Sequence, residues 1–157
     1  MLHNVNPNRY IVVNLQEKED RTRALYFPIA RAIELENLYE GTSLLKLISD
    51  DNILSSFNFI CTAYWVGLKT DDPSLTLQKT QGIIGKLIEN AEGFQGYMDT
   101  LTNLASGIVK ALQATGLVAK VSEEETSEGE NKEIVEGKSK ADLKNGLDKQ
   151  NLSRMDS

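Results

Sequence analysis

One thiol, one imidazole and a few acidic clusters are the groups in this 157-residue sequence that could support bond-making chemistry. Cys61 is the single cysteine, so neither an internal disulfide nor a multi-cysteine metal site is available. It falls on the apolar face of a helical pattern with no histidine near it. It therefore reads as a small buried hydrophobe rather than a nucleophile, which would need a depressed pKa and a neighbouring base. His3, the only histidine, lies in the polar opening MLHNVNPNRY. Ser-His, Cys-His and histidine-metal chemistry are thereby set aside. The pairs Asp50-Asp51 and Asp71-Asp72 stand where helix caps and turns are expected, and Glu123-Glu124-Glu125 opens a charged stretch. None of the three looks like carboxylates converging in a cleft for acid–base work. Gly82-Ile83-Ile84-Gly85-Lys86 lacks the spacing and the following Ser/Thr of a phosphate loop. It also lacks the further glycine that an RNA-binding KH loop would place after Lys86. Close helix packing or a soft helix accounts for it.

What must position these residues is a small domain followed by a different kind of chain. Residues 119–157 hold 10 acidic and 7 basic residues and no aromatic. Such a segment buries too little apolar surface to offset the entropy of ordering it, so a disordered acidic-mixed tail is expected there. Residues 1–118 carry all ten aromatics, 13 acids and 10 bases, enough for one modest core. Three regions follow: a flexible arm over 1–9, a domain over 10–118 and the tail over 119–157. The net charge of -6 disfavours a nucleic-acid partner, which needs a basic face. No apolar run is long enough to span a bilayer, and the N-terminus has no signal-peptide core. The composition points to a soluble, intracellular, non-enzymatic protein without a cofactor.

The domain reads as mainly α, an N-terminal β-hairpin followed by about five helices. Tyr10–Leu15 is rich in β-branched residues, with Ile11, Val13 and Leu15 alternating. Glu17–Asp20 is a polar turn, and Arg23–Phe27 is the return strand. Pro28 suits the first turn of a helix carrying Ile29, Ala32, Ile33, Leu35 and Leu38, stopped by Gly41. Thr42 or Ser43 caps a short Leu-rich helix. A long helix then begins at Asp50-Asp51 and carries Ile53, Phe57, Ile60, Cys61, Tyr64, Trp65 and Leu68 on one wide face. Thr76 caps the next helix, which glycines 82 and 85 weaken by roughly 1 kcal/mol each relative to alanine. A final helix runs from Phe94 through Tyr97, Met98, Leu101, Leu104 and Ile108 to Leu112, and Gly116 ends it.

Two of these helices look wider than one neighbour can cover. Phe57, Tyr64, Trp65 and Leu68 suit either core or a partner-binding patch, because Trp and Tyr are common interface anchors. Phe94, Met98, Leu101, Ala105, Ile108 and Leu112 form an a/d-like seam through which a homo-oligomer could assemble.

The order of elements resembles the small tail assembly chaperones of long-tailed, siphovirus-type bacteriophages, over roughly residues 23–115. The resemblance is carried by Tyr26-Phe27, by Ala32-Ile33-Glu34-Leu35-Glu36 and by Gly41-Thr42-Ser43-Leu44-Leu45. It continues through Ala63-Tyr64-Trp65-Val66-Gly67-Leu68 and, most specifically, Asp72-Pro73-Ser74-Leu75-Thr76-Leu77. Where that family usually continues with acidic residues after the threonine, this chain has Gln78-Lys79, so a capping box is missing. The resemblance implies a non-enzymatic protein that coats the tape measure protein while major tail tube protein polymerises around it. It would work in the cytoplasm of the bacterial host and be absent from the finished virion. A structural tail completion protein and a small helical adaptor or regulatory protein share the same composition and remain alternatives.

Overall fold

The computed structural model describes residues 2–18 and 21–119. The chain divides into two units, Met1–Ala119 and Lys120–Ser157. The charged tail expected over 119–157 lies, apart from Ala119, outside the described residues.

The first unit is mainly helical behind a two-stranded hairpin. Strands β1 (Ile11–Val13) and β2 (Arg23–Leu25) pair antiparallel, with Ile11 opposite Leu25 and Val13 opposite Arg23. Val12 faces solvent while Leu15 and Leu25 enter the core, as the alternation predicts. Within the expected N-terminal arm, Pro7–Arg9 form one turn of 3-10 helix, started by the Asn6 side chain accepting from the Asn8 amide at 2.9 Å.

Six helices follow: α1 (Ile29–Leu38), α2 (Leu44–Ser49), α3 (Asp51–Leu54), α4 (Phe57–Leu68), α5 (Leu77–Glu89) and α6 (Gly93–Ala114). Side-chain caps explain most of the starts. The Ser43 hydroxyl accepts from the Lys46 amide at 3.3 Å, and Thr76 accepts from Lys79 at 3.1 Å. Glu36, near the end of α1, also accepts the Leu44 amide at 2.7 Å and so ties the first turn of α2 back to α1. Gly41, at φ +77°, donates to the Glu36 carbonyl and closes α1.

The long helix expected from Asp50 to Gly67 is in fact two. Asp50 caps the single turn of α3, and Ser56 then caps α4 by accepting from Phe59 at 3.1 Å. The pair Ser55-Ser56 supplies the break. Serine competes for backbone bonds in a helix interior and gains by capping a new start.

Helix α4 is the axis of the domain. It packs against α1, α3, α5, α6 and strand β2. Nine of its twelve residues are buried, from Phe59 to Leu68 with Trp65 alone half-exposed among them. Two glycines allow this crowding. A Cβ on Gly67 would lie 2.6 Å from Leu25 Cδ1 and 2.7 Å from Phe27 Cζ, so hairpin and helix meet at van der Waals contact only because that atom is missing. The Gly67 carbonyl also accepts the Tyr26 amide at 2.9 Å. On α6, a Cβ on Gly107 would run into the Tyr64 hydroxyl. Gly82 and Gly85, the pair that the sequence suggests for close packing or a soft helix, have open space where a Cβ would stand and therefore serve no close approach within the domain.

Candidate functional site

Of Phe57, Tyr64, Trp65, Leu68, Phe94, Met98 and Leu101, the residues expected to touch a partner, the structure leaves three on the surface. Phe57 is 51% exposed, Phe94 78% and Met98 40%. Phe57 opens α4 and Phe94 stands in the first turn of α6. Because Cα–Cβ bonds tilt toward a helix N-terminus, a first-turn side chain projects past the end of its own helix and has no preceding turn to lie on. The two starts are neighbours: the Phe57 and Tyr97 rings meet edge-on at 6.3 Å between centroids, and Phe94 stacks on Tyr97 at 6.5 Å. Met98, four residues after Phe94, shares its face of α6. Phe57, Phe94, Tyr97 and Met98 thus form an aromatic and thioether patch.

Tyr64, Leu68 and Leu101 are instead core, at 2%, 0% and 8% exposure. The wide apolar stripe on α4 looks like surplus surface only if the helix has one neighbour. It has five, α1, α3, α5, α6 and β2, which bury it from Phe59 to Leu68 except at Trp65. The Tyr64 hydroxyl donates to the Leu104 carbonyl at 2.8 Å, and burial pushes its pKa up. Along α6, Leu101, Ile108 and Leu112 are buried within this one domain, so that part of the expected oligomer seam is intramolecular.

Trp65 is half-buried and already employed. Its indole N–H donates to the Leu75 carbonyl at 3.0 Å, holding the loop ahead of α5 against α4, and the Lys69 ammonium stands 4.2 Å over its ring. Lys69 also pairs with Glu34, whose other oxygen accepts from Arg31 at 2.9 Å. Cys61 is buried and burial raises its thiol pKa, so it is a poor nucleophile in this state. Among the described residues no group of three or more His, Cys, Asp or Glu could hold a metal ion, and no helix is long and apolar enough to cross a membrane.

One polar constellation escaped the sequence reading. Arg23, on β2 and almost fully buried, is held by Glu17 through two bonds of 2.6 and 2.8 Å and by Asp72 at 3.0 Å. Asp72 also accepts from the Ser74 amide and hydroxyl, and its neighbour Asp71 accepts the Ala24 amide at 3.3 Å. The sequence marks Asp71-Asp72 as turn chemistry. That half is correct, but the second oxygen of Asp72 reaches an arginine 49 residues earlier. Hydrogen bonding from Arg23 holds the Glu17 carboxyl below its ordinary value. Bonds from Ser74, then Arg23, do the same for Asp72. The one sequence signal is an arginine at an inward position of a strand, which has to find acids somewhere.

Comparison of the chain with family models, with curated protein sequences and with solved structures gives no match in any of the three.

Proposed function

We propose that this chain is a tail assembly chaperone of a long-tailed bacteriophage, a helical body that holds the tape measure protein during tail morphogenesis and yields it to the tail tube protein. The observation that carries this reading is the patch of Phe57, Phe94, Tyr97 and Met98, large apolar side chains gathered at two helix starts. Contiguous exposed apolar surface of this kind marks a binding site for protein. Aromatic and methionine side chains suit a client that is long, helical and varied in sequence, because they adapt to many apolar ridges at small entropic cost. The order of motifs from Tyr26-Phe27 to Asp72–Leu77 supports the same assignment. No step of this role requires bond making. The protein acts in the host cytoplasm and leaves before the virion is complete.

Co-expression with the tape measure protein tests the proposal directly. A soluble complex is expected, and a client that stays insoluble with no complex formed overturns it. Mass spectrometry of purified virions separates this role from that of a tail completion protein, which would be present at fixed stoichiometry.

A further inference from the structure

A second surface, unrelated to the aromatic patch, lies where the β1–β2 connection faces α5. There a cleft of about 520 Å³ is bordered by Leu15, Leu75 and Ile83 and by the cations Lys18, Arg21, Lys79 and Lys86. The acids that border it, Glu17 and Asp72, are occupied by Arg23 and, at 4.0 and 3.8 Å, by Arg21. The ammonium groups of Lys79 and Lys86 pair with no carboxylate among the described residues. Among the described residues that border the cleft, five cations stand against two acids, in a chain of net charge -6.

The helix side of the cleft is organised along one line. Lys79, Gly82, Ile83 and Lys86 recur at helical spacing on α5 and all border it. Gly82 costs the helix about 1 kcal/mol relative to alanine. Apart from its chain neighbours and the backbone of its own helix, no described atom lies within 4 Å of where its Cβ would stand, so no packing contact inside the domain requires that glycine. A glycine on a helix face does allow another backbone to approach closely.

We propose that this cleft binds an acidic amphipathic segment of a partner protein, with its carboxylates on Lys79 and Lys86 and its aliphatic side chains over Leu15, Leu75 and Ile83. Spacing selects a polypeptide over a small anion. Lys79 and Lys86 are seven residues apart, about 10 Å along the helix at 1.5 Å per residue. That exceeds one phosphate and matches carboxylates two turns apart on a facing helix. Nucleic acid fits less well: no aromatic side chain borders the cleft for base stacking. The inference does not rest on the tail-assembly reading and would stand if that reading failed.

The test uses the full chain and a fluorescein-labelled peptide of about five helical turns, with glutamates seven residues apart and leucines between them, beside a copy with glutamine for glutamate. Anisotropy titrations are expected to give saturable binding of the glutamate peptide only. Affinity should fall about tenfold or more between about 0.1 M and about 1 M salt, as the Debye length shrinks from roughly 10 to 3 Å. The double variant Lys79→Glu, Lys86→Glu should lower affinity about tenfold or more while melting like the parent. Gly82→Gln, which places a side chain in the cleft, should also weaken binding. The proposal is overturned if the glutamate peptide shows no saturation up to about 1 mM, or if the glutamine copy binds equally well. Unchanged affinity in both the double variant and Gly82→Gln also overturns it, as does displacement of the peptide by inorganic phosphate or duplex DNA at concentrations below the peptide's own.

Discussion

The hydroxyl of Tyr64 donates a 2.8 Å hydrogen bond to the main-chain carbonyl of Leu104, and it can do so only because Gly107, one turn further along α6, has no side chain. The bond ties the central helix to the last one through the middle of the core. It turns a tyrosine that resembled a surface anchor into an internal strut.

Removing that hydroxyl in Tyr64→Phe should cost about 1 kcal/mol, the usual net value of one hydrogen bond. Gly107→Ala should cost about 1–3 kcal/mol, because its Cβ meets the Tyr64 oxygen in a packed interior. In the double variant the clash is gone, since the ring carbon beneath the oxygen lies at 3.6 Å, ordinary contact. Denaturant melts of all four proteins should therefore show Gly107→Ala to be much milder when combined with Tyr64→Phe. Simple additivity would mean the two residues do not meet as described.

The helix glycines should separate by environment. Gly67→Ala forces Leu25 and Phe27 away from α4 and should lose about 1–3 kcal/mol. Gly85→Ala enters open space at an ordinary helical position and should gain about 0.5–1 kcal/mol. Thermal melts of the two variants should shift in opposite directions.

Stability should fall on the acid side of neutrality. Glu17 and Asp72 have folded-state pKa values below their ordinary ones, the first through its bonds to Arg23 and the second through Ser74 and Arg23. Burial pushes Glu34 up, but Lys69 and Arg31 together outweigh it and leave that carboxyl lowered as well. A depressed carboxyl binds its proton more readily in the unfolded chain. The stabilisation is therefore complete above the unfolded carboxylate range, near pH 4, and is lost as pH drops through the folded values. Urea midpoints should be level near neutrality and decline below about pH 4.5. Glu17→Gln should flatten part of that decline and, by leaving buried Arg23 underpaired, lower stability at pH 7 by about 2 kcal/mol.

The aromatic patch should be separable from the fold. Phe94→Asp and Met98→Asp lie on exposed positions, so their melts should stay within about 0.5 kcal/mol of the parent. Both should lose the tape measure protein in co-purification. Retention of the client by the paired variant would move the binding surface elsewhere.

Trp65 offers an internal reporter. It is the single tryptophan, and its indole N–H holds the Leu75 carbonyl. Trp65→Phe should lose that anchor and about 1 kcal/mol or more. In the parent chain, its fluorescence should follow the docking of the loop before α5 rather than client binding. A client-dependent change larger than that seen with the Phe94 patch removed would contradict this placement.

Local chemistry alone settled the element order, a hairpin and then helices, apart from the break at Ser55-Ser56. The alternation of Ile11, Val13 and Leu15, the caps at Ser43 and Thr76 and the stops at Gly41 and Gly116 act over four or five residues, within reach of short-range backbone and side-chain bonds. It also marked Phe57, Phe94 and Met98 as apolar residues that could meet a partner, but it set Phe57 inside one long helix rather than at the start of α4. Which apolar residues stay exposed was a tertiary decision, because burial depends on how many neighbours a helix acquires. A wide stripe on α4 looks the same in sequence with one neighbour or with five, so Tyr64 and Leu68 could not be told from Phe57. The pairing of Arg23 with Asp72, the contact of Gly67 with Phe27 and the fit of Gly107 over Tyr64 likewise join residues distant in the chain. No local periodicity encodes them; they exist only once the chain has closed on itself.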